Sequence, residues 1–217
     1  GPSALSLRYV IFGGEALDLG QLDRWYTRHA EDSPRLVNMY GITETTVHVS
    51  YLPLDREFAR ESTASVIGRG LPGVGVYVLD SRLRPTPVGV EGEMYVHGGQ
   101  LARGYLGRPD LTAGRFVADP FGAAGHRMYR TGDLARWNAA GQLEYLGRTD
   151  FQVQLRGFRI ELGEVESALL RYSGVAASSV QVRSHESLGD HLVGYVVPEA
   201  GTEIEVDSLL AFVGGFL

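Results

Sequence analysis

The sequence predicts a mixed α/β fold made of sections that differ in their apolar pattern. Near the start, two short apolar runs flank a segment with helical spacing, which is typical of a βαβ sheet unit. The middle of the chain has short apolar runs separated by turn residues, which predicts a small β-barrel or a bent sheet. After Asp150, strand and helix patterns alternate again and predict a separate α+β section.

In the first section, residues 7–12 form an apolar run that ends at a pair of glycines, as expected for a buried strand. Residues 19–30 carry apolar side chains near helical spacing, and Asp18 precedes them as a candidate N-cap. Residues 36–40 are predicted to form the next strand, parallel to the first.

Strands are predicted in the middle section at residues 74–79, 93–96 and 143–146, and residues 53–64 are predicted to form an exposed loop. The last section should contain a strand pair within residues 151–160, a helix at 162–172, strands at 176–183 and 191–197, and a helix from Val206. Residues 183–189 are predicted to be a second exposed loop.

Composition excludes several classes of function. The 217 residues are 44% hydrophobic with a formal net charge of −6, which gives no electrostatic footprint for nucleic acid. The sequence has no 18-residue apolar run that would span a membrane. Absence of cysteine excludes disulfides and thiolate sites and fits a cytoplasmic protein. The histidines have no spacing typical of a zinc site.

The most informative stretch is NMYGITETT at residues 38–46. It sets an amide, an aromatic ring, hydroxyls and a carboxylate around Gly41, directly after an apolar strand. The amide can read a base edge, the ring can stack on the base, and glycine allows close backbone approach. Thr43 can donate to a phosphate oxygen and Glu44 can hold Mg²⁺. A turn of this composition is also an ordinary connection, so a nucleotide site needs support from other segments.

Four more motifs supply that support: GGEAL at 13–17, GEMYVHGGQLARGYLGRPDLT at 92–112, YRTGD at 129–133 and GRTDFQVQLRGFRIELGEVE at 147–166. With these motifs in this order, the chain resembles the adenylation domain of a nonribosomal peptide synthetase. That domain belongs to the adenylate-forming enzymes, which include acyl-CoA synthetases and luciferases. The resemblance extends from about residue 7 to the end of the sequence.

The resemblance implies that residues 1–149 are the C-terminal part of the large adenylation subdomain. Residues 150–217 would be the hinge, at Asp150, and part of the C-terminal lid subdomain. The family's phosphate-binding loop would lie upstream, and the catalytic lysine of the lid would lie downstream. The sequence contains no lysine, although the family uses that positive charge to stabilise the transition state. We therefore expect a fragment that adenylates poorly or not at all by itself.

The family's nucleotide-binding residues can be carried over position by position. The turn Gly14-Glu15-Ala16 would lie against one face of adenine, Asn38 would read its exocyclic edge, and Tyr40 would stack on it beside Gly41. Asp133 would accept from both ribose hydroxyls, a role that suits a carboxylate, and Tyr145 would flank the nucleoside. On the residues alone, Tyr145 could instead belong to the core, Asp133 could be a turn former, and Glu15 could be a surface charge.

The catalytic residues implied by the resemblance are Thr43, Glu44, Arg148 and Asp150. Thr43 and Glu44 would serve the α-phosphate and Mg²⁺, with Glu44 as the metal ligand, while Arg148 would reach ribose or phosphate. In the lid, Gly157 resembles the glycine that faces the active site when a phosphopantetheine arm enters. Gln154 departs from the family, because relatives often carry lysine there. Residues 101–105 are interpreted as a structural turn and not as a phosphate site.

The family selects its substrate by a short set of pocket-lining positions, which here are Ile11, Gly13, Met39, Val47 and His48. This set resembles threonine-activating domains. Gly13 would leave room, the apolar residues would contact a γ-methyl group, and His48 would hydrogen-bond the β-hydroxyl. On periodicity alone, Ile11 and Val47 would be core strand residues and His48 a satisfied neighbour.

The implied reaction converts an amino acid and ATP, with Mg²⁺, to aminoacyl-AMP and pyrophosphate. The thiol of a phosphopantetheine on a peptidyl carrier protein would then accept the aminoacyl group. Other implied partners are a condensation domain and an MbtH-like protein that docks near Ala113, on a segment (109–121) that is otherwise a plain helix with Asp110 as its cap. Two alternatives remain: an acyl- or aryl-CoA ligase of the same fold, and a non-catalytic interaction module.

Overall fold

The computed structural model describes residues 6–17, 19–61, 64–185, 187 and 189–216. The chain divides into two compact units, the first ending at Thr149 and the second beginning at Asp150. Within the described residues, every helix is too short or too polar to cross a membrane. The predicted N-cap Asp18 lies outside the described ranges.

The first unit begins with the predicted strand–helix–strand element. Strand β1 (Tyr9–Phe12) pairs in parallel with β2 (Arg35–Asn38), and a 3₁₀ turn (Leu19–Gln21) followed by α1 (Leu22–Tyr26) connects them. The predicted helix was too long at its C-terminal end. Thr27 is its C-cap, and the Thr27 hydroxyl donates to the Arg24 carbonyl at 2.7 Å, which satisfies one of the carbonyls left without an intrahelical partner at the helix end.

The remaining strands of this unit continue the same sheet. They are β3 (Ser50–Leu54), β4 (Ser65–Gly70), β5 (Val74–Leu79), β6 (Gly92–Gly98), β7 (Phe116–Ala118), β8 (Arg127–Trp137) and β9 (Leu143–Arg148). The strand order is β1-β2-β3-β4-β9-β8-β6-β5, with β7 paired to β8. Among the described residues, β5 is hydrogen-bonded only to β6 among the strands, so the ladder does not close into a complete barrel. Ile67 on β4 and Val78 on β5 nevertheless share one core, as expected for the bent sheet. The mixed α/β class is confirmed.

Besides α1, the described part of the first unit contains α2 (Arg56–Glu61) and α3 (Pro109–Arg115). Helix α2 corrects the predicted loop at residues 53–64. Its start is fixed by Asp55, whose Oδ1 accepts from the Phe58 backbone N–H at 2.8 Å, a capping bond. Helix α3 begins after Arg108, so Asp110 lies in its first turn and is not the N-cap. Asp110 instead pairs with the Arg108 guanidinium at 2.9 Å.

Three apolar clusters lie among the described residues of the first unit, and the two larger ones hold its sheet. One core packs α1 and α2 against β2 and β3 and includes Leu22, Tyr26, Leu36, Leu54 and Ala59. The other lies between the later strands and includes Ile67, Val78, Met94, Ala135 and Leu143, with Tyr40 and Tyr145 packed against it. The second core thus anchors two predicted site residues.

The second unit contains β10 (Gln152–Leu155), β11 (Phe158–Glu161), α4 (Leu162–Leu170), β12 (Val175–His185), β13 (Gly189–Pro198) and α5 (Val206–Val213). These elements confirm the predicted types and order, although α4 ends before Tyr172. The predicted loop at 183–189 is mostly strand, because β12 and β13 pair up to His185 and Gly189. Leu162, Leu169, Val180, Leu209 and Val213 form the core of this unit.

Candidate functional site

The loop from Tyr40 to Ser50 leaves the end of β2 and returns to the start of β3. The Tyr40 carbonyl accepts from the Val49 and Ser50 backbone N–H groups at 2.7 and 3.1 Å, which closes the loop at its base. A Cβ atom at Gly41 would lie 1.8 Å from the Val47 carbonyl oxygen. The close backbone approach expected at Gly41 is therefore made by the loop itself.

The tip of this loop has a rarely adopted backbone. Thr46 and Val47 have φ angles of 55° and 71°, and the His48 N–H donates to the Thr46 carbonyl at 3.0 Å, so Val47 is the centre of a γ-turn. Positive φ is costly for β-branched residues. Strain of this kind persists where surrounding contacts impose it and concentrates at functional sites.

Gln100 supplies those contacts and was not identified from the sequence. Its side-chain amide donates to the carbonyls of Thr45 at 2.7 Å and His48 at 2.5 Å. The Gln100 backbone carbonyl accepts from the Thr46 hydroxyl at 2.7 Å. Gln100 follows Gly98 and Gly99 at the end of β6. Its position in the long motif at 92–112 is the one sequence signal that could have identified it.

Glu44 lies at the buried side of the loop, with 7% of its surface exposed. Its Oε1 accepts from the hydroxyls of Tyr105 at 2.6 Å and Tyr129 at 3.0 Å. Burial, followed by the bond to Glu44, raises the pKa of Tyr105 above its ordinary value, so this phenol stays protonated and acts as donor. Thr43, by contrast, is exposed at the start of a second 3₁₀ turn (Thr43–Thr45).

Asp133 and Arg148 face each other on β8 and β9. The Arg148 guanidinium donates to Asp133 Oδ1 at 2.6 Å, and the Tyr40 hydroxyl donates to Asp133 Oδ2. Burial and the adjacent Asp133 carboxylate raise the pKa of Tyr40 well above its ordinary value. The structure thus brings three predicted residues together, and both carboxylate oxygens of Asp133 are already engaged.

Thr131 holds Asp133 and Arg148 in place through hydrogen bonds. Its hydroxyl accepts from the Asp133 backbone N–H at 2.9 Å and donates to the Met94 carbonyl at 2.7 Å. The second nitrogen of the Arg148 fork donates to the Thr131 carbonyl at 3.2 Å. The threonine of YRTGD therefore fixes both members of the ion pair, a role that its position in the motif did not indicate.

The remaining nucleotide residues lie around the same edge. Asn38 is buried, and its Nδ2 donates to the Val66 carbonyl at 2.9 Å. The Tyr145 ring is 6.3 Å from the Tyr40 ring and is tilted by 33°. Tyr145 also packs against the second core. The same side chain therefore both contributes to the core and lies beside Tyr40 at the predicted nucleotide site. The turn Gly14-Glu15-Ala16 follows β1 and is exposed.

The five predicted pocket residues lie on β1 or directly after it, directly after β2, and on the loop. A Cβ atom at Gly13 would be 3.0 Å from the Met39 carbonyl oxygen and 3.5 Å from His48 Cε1. Ile11 and Val47 are exposed by 55% and 62%, so neither belongs to the apolar core of this unit. Gly13, Met39 and His48 thus meet at one place, and Ile11 lies two residues before it on β1.

The side chains around Glu44 can be compared with those that bind Mg²⁺ in proteins. No group of three or more histidine, cysteine, aspartate or glutamate side chains gathers within the described part of the chain. Mg²⁺ is commonly bound by one or two carboxylates together with substrate phosphates and water. The single oriented carboxylate of Glu44, beside the exposed Thr43, fits binding of Mg²⁺ together with substrate phosphates and water. It does not fit a site in which protein side chains supply all the metal ligands.

A groove of about 390 Å³ opens elsewhere on the first unit, along β3 and β4. It is lined by Tyr51, Arg69, Pro72 and Gln142 among others, none of which is a predicted site residue. The Arg69 guanidinium is engaged by the Ala140 carbonyl. The functional assignment therefore rests on the Tyr40–Asp133–Arg148 group and not on this groove.

In the second unit, Asp150 is half-buried, whereas Gln154 and Gly157 are exposed. Asp150 Oδ1 accepts from the Gln152 N–H at 3.3 Å. Gly157, with φ of 79°, forms a two-residue turn with Arg156, whose φ is 53°, as in the hairpin turn that favours glycine. Gln154 donates to the Gly157 carbonyl at 3.2 Å. Ala113 lies exposed on α3.

Comparison with known proteins places this geometry in a family. Residues 2–106 match the model of the AMP-binding enzymes. The chain is 60% identical over 199 residues to a dimodular nonribosomal peptide synthase of Bacillus subtilis, covering 92% of this chain and 8% of that protein. It is 45% identical over 212 residues to novobiocin biosynthesis protein H of Streptomyces niveus, covering 97% and 34%.

Solved structures give the same result. The crystal structure of IdnL1 matches with a TM-score of 0.84 at 35% identity, over 97% of this chain and 42% of that one. PA1221, a nonribosomal peptide synthetase protein with adenylation and peptidyl carrier domains, matches with a TM-score of 0.79 at 31% identity, over 89% and 39%. The chain thus spans less than half of each of these relatives.

Proposed function

Because the chain belongs to the AMP-binding enzymes and is part of an adenylation domain of the nonribosomal peptide synthetase type, we propose that the enzyme carrying it activates L-threonine with ATP. The product would be threonyl-AMP, which is then transferred to a carrier-protein thiol. The observation that carries the use of ATP is the convergence of Tyr40 and Arg148 on the buried carboxylate of Asp133.

That convergence supports a nucleoside site. Asp133 would accept hydrogen bonds from the ribose hydroxyls. A carboxylate accepts about four hydrogen bonds, so the ribose hydroxyls would either bind beside Tyr40 and Arg148 or displace them. Tyr40 would stack on adenine, with Tyr145 at its side. Since the Asn38 Nδ2 is bound to Val66, its amide oxygen would accept from the exocyclic amine of the base, against the turn Gly14-Glu15-Ala16.

In the first half-reaction, a carboxylate oxygen of the amino acid attacks the α-phosphorus of ATP. The bond from that phosphorus to the β-phosphate oxygen breaks, and pyrophosphate leaves. Mg²⁺, when held by Glu44 and the phosphates, would neutralise the charge that develops on the phosphate oxygens. Thr43 would donate its hydroxyl to an α-phosphate oxygen, and Arg148 is close enough to Asp133 to orient the ribose.

The threonine assignment rests on the contact between Gly13 and His48. Glycine leaves space in front of the imidazole, whose Cε1 would be 3.5 Å from a Cβ at that position. Met39, Ile11 and Val47 would line the apolar side that receives the γ-methyl group. A buried hydroxyl that loses its water needs a protein partner, and His48 is the side chain in this set that can provide one.

This proposal is tested by amino-acid-dependent exchange of pyrophosphate into ATP with threonine, valine and serine. A site that pairs a hydroxyl should reject valine by several orders of magnitude and serine by only about 10 to 200-fold. His48→Ala should reduce the threonine-to-valine ratio more than the threonine-to-serine ratio. His126→Ala, an exposed histidine, serves as the control. A wild-type preference for an acidic or large aromatic amino acid would refute the threonine assignment.

In the second half-reaction, the phosphopantetheine sulfur attacks the threonyl carbonyl carbon and the thiol proton is released to solvent. The bond from that carbon to the AMP phosphate oxygen breaks, and AMP leaves. We assign the residues from Asp150 onward to the lid subdomain that turns between the two half-reactions, with Gly157 facing the incoming arm. A condensation domain of the same synthetase and an MbtH-like protein docked near Ala113 are the further proposed partners.

Asp150→Pro is expected to separate the two half-reactions in the enzyme that carries this chain. Proline fixes φ near −65°, and a hinge works by absorbing a large backbone change. Asp150→Ala, which removes the carboxylate but leaves the backbone free, should preserve both activities better. Pyrophosphate exchange and carrier loading are measured in parallel, and equal losses in both for the proline variant would contradict the hinge assignment.

A further inference from the structure

Two tyrosines that belong to distant parts of the chain meet at one oxygen of Glu44. The hydroxyls of Tyr105 and Tyr129 lie 2.6 and 3.0 Å from Oε1 and 3.0 Å from each other. Tyr129, on β8, is fully buried. The Phe116 ring packs on both, with centroid distances of 4.9 Å to Tyr129 and 5.7 Å to Tyr105. The geometry is that of a fixed two-donor clamp.

Helix α3 holds the Tyr105 side of this clamp. The Thr112 hydroxyl accepts from the Tyr105 backbone N–H at 2.9 Å and donates to the Arg108 carbonyl at 2.8 Å. A Cβ atom at Gly104 would lie 2.5 Å from Thr112 Cγ2, so glycine is needed for this contact. The Ala102 N–H also donates to the Glu44 carbonyl at 2.8 Å. The turn at residues 101–105 is thus attached to the backbone of Glu44 as well as to its side chain.

We propose that Tyr105 and Tyr129 are positioning residues that orient the Glu44 carboxylate for Mg²⁺·ATP, an inference that rests on the proposed function. Because both phenols donate to Oε1, they fix the plane of the carboxylate and thereby the direction of Oε2. Groups that orient a metal-binding carboxylate through hydrogen bonds change metal affinity about 10 to 100-fold when they are removed. Each hydroxyl should therefore affect metal binding without touching metal or nucleotide.

The test removes each hydroxyl and keeps each ring, in the enzyme that carries this chain. Tyr105→Phe, Tyr129→Phe and the double variant are compared with Tyr95→Phe. Tyr95 is also buried and also donates to a glutamate, Glu93, at 3.3 Å, but it is on β6 and does not contact Glu44. Binding of Mn²⁺ in the presence of ATP is measured by electron paramagnetic resonance, and pyrophosphate exchange is measured as a function of Mg²⁺ concentration.

We expect the Tyr105 and Tyr129 variants to weaken Mn²⁺ binding and to raise the Mg²⁺ concentration for half-maximal exchange, each by about 10-fold or more. The KM for the amino acid should be unchanged. In a Glu44→Gln background the same substitutions should add little, because coupled residues are not additive. Tyr95→Phe should leave metal dependence at the wild-type value.

Two outcomes would overturn the inference. Metal affinities that match those of Tyr95→Phe would show that the clamp only stabilises the fold, as would effects that are equally large in the Glu44→Gln background. Absence of amino-acid-dependent exchange in the wild-type enzyme would instead refute the proposed function, while Mn²⁺ binding would still report on the clamp. The two failures are therefore distinguishable.

Discussion

Gly41→Ala is expected to be among the most destabilising single substitutions in the first unit. A Cβ atom there would lie 1.8 Å from the Val47 carbonyl oxygen and 2.6 Å from His48 Cα. These are backbone atoms, so no rotamer change can relieve the overlap. The loop from Tyr40 to Ser50 would have to open, and we expect a loss of more than about 3 kcal/mol in the free energy of unfolding.

Urea denaturation followed by tryptophan fluorescence or circular dichroism measures this effect. Gly99→Ala is the matched control, because a Cβ at Gly99 meets nothing within 4 Å and should change the unfolding midpoint little. A Gly41→Ala variant with the same midpoint as Gly99→Ala would contradict the loop geometry. Such a result would also mean that the close approach to Val47 does not explain the glycine at position 41.

Asp133→Ala should be the most damaging change to the polar part of the site. The Asp133 and Arg148 side chains are only 3% and 14% exposed, so removal of the carboxylate leaves the guanidinium largely buried without its main counter-ion. Breaking a buried ion pair in this way costs about 3 to 5 kcal/mol. Tyr40 would lose the acceptor of its hydroxyl at the same time.

A double-mutant cycle tests this expectation by chemical denaturation. Asp133→Ala combined with Arg148→Ala should recover part of the loss, because no uncompensated charge then remains. Asp110→Ala removes one member of an exposed pair with Arg108 and should barely move the unfolding midpoint. Additive effects of Asp133→Ala and Arg148→Ala would show that the two side chains do not act as a pair.

The sequence predicted those parts of the fold that depend on local pattern. The parallel pair β1 and β2, the strand β5 and the hairpin, helix and strands after Asp150 all carry a clear apolar period or turn signal. Helix α2 was missed because proline and polar residues around residues 53–64 resemble a loop, whereas its start depends on one capping bond from Asp55. The continuous sheet depends on β3 pairing with both β2 and β4, a long-range choice without a local signal.

The site shows the same division. The motifs named Tyr40, Asp133 and Arg148 individually as candidates, but the contact between Asp133 and Arg148 follows from the register of β8 and β9, and Tyr40 reaches Asp133 from a distant loop. The bonds from Tyr105 and Tyr129 to Glu44 join residues 61 and 85 positions apart. Gln100 and Thr131 act through backbone carbonyls and N–H groups, which every residue has, so residue type alone could not identify their partners.

In the proposed function, the Tyr40–Asp133–Arg148 group binds the ribose of an adenine nucleotide. The most direct test is calorimetric titration of the enzyme carrying this chain with AMP and with 2′,3′-dideoxy-AMP. We predict that the wild-type enzyme prefers AMP, and that Asp133→Asn weakens AMP binding by about 10 to 100-fold and abolishes the preference. Equal affinity for the two nucleotides in the wild type, or unchanged AMP affinity in Asp133→Asn, would contradict the claim.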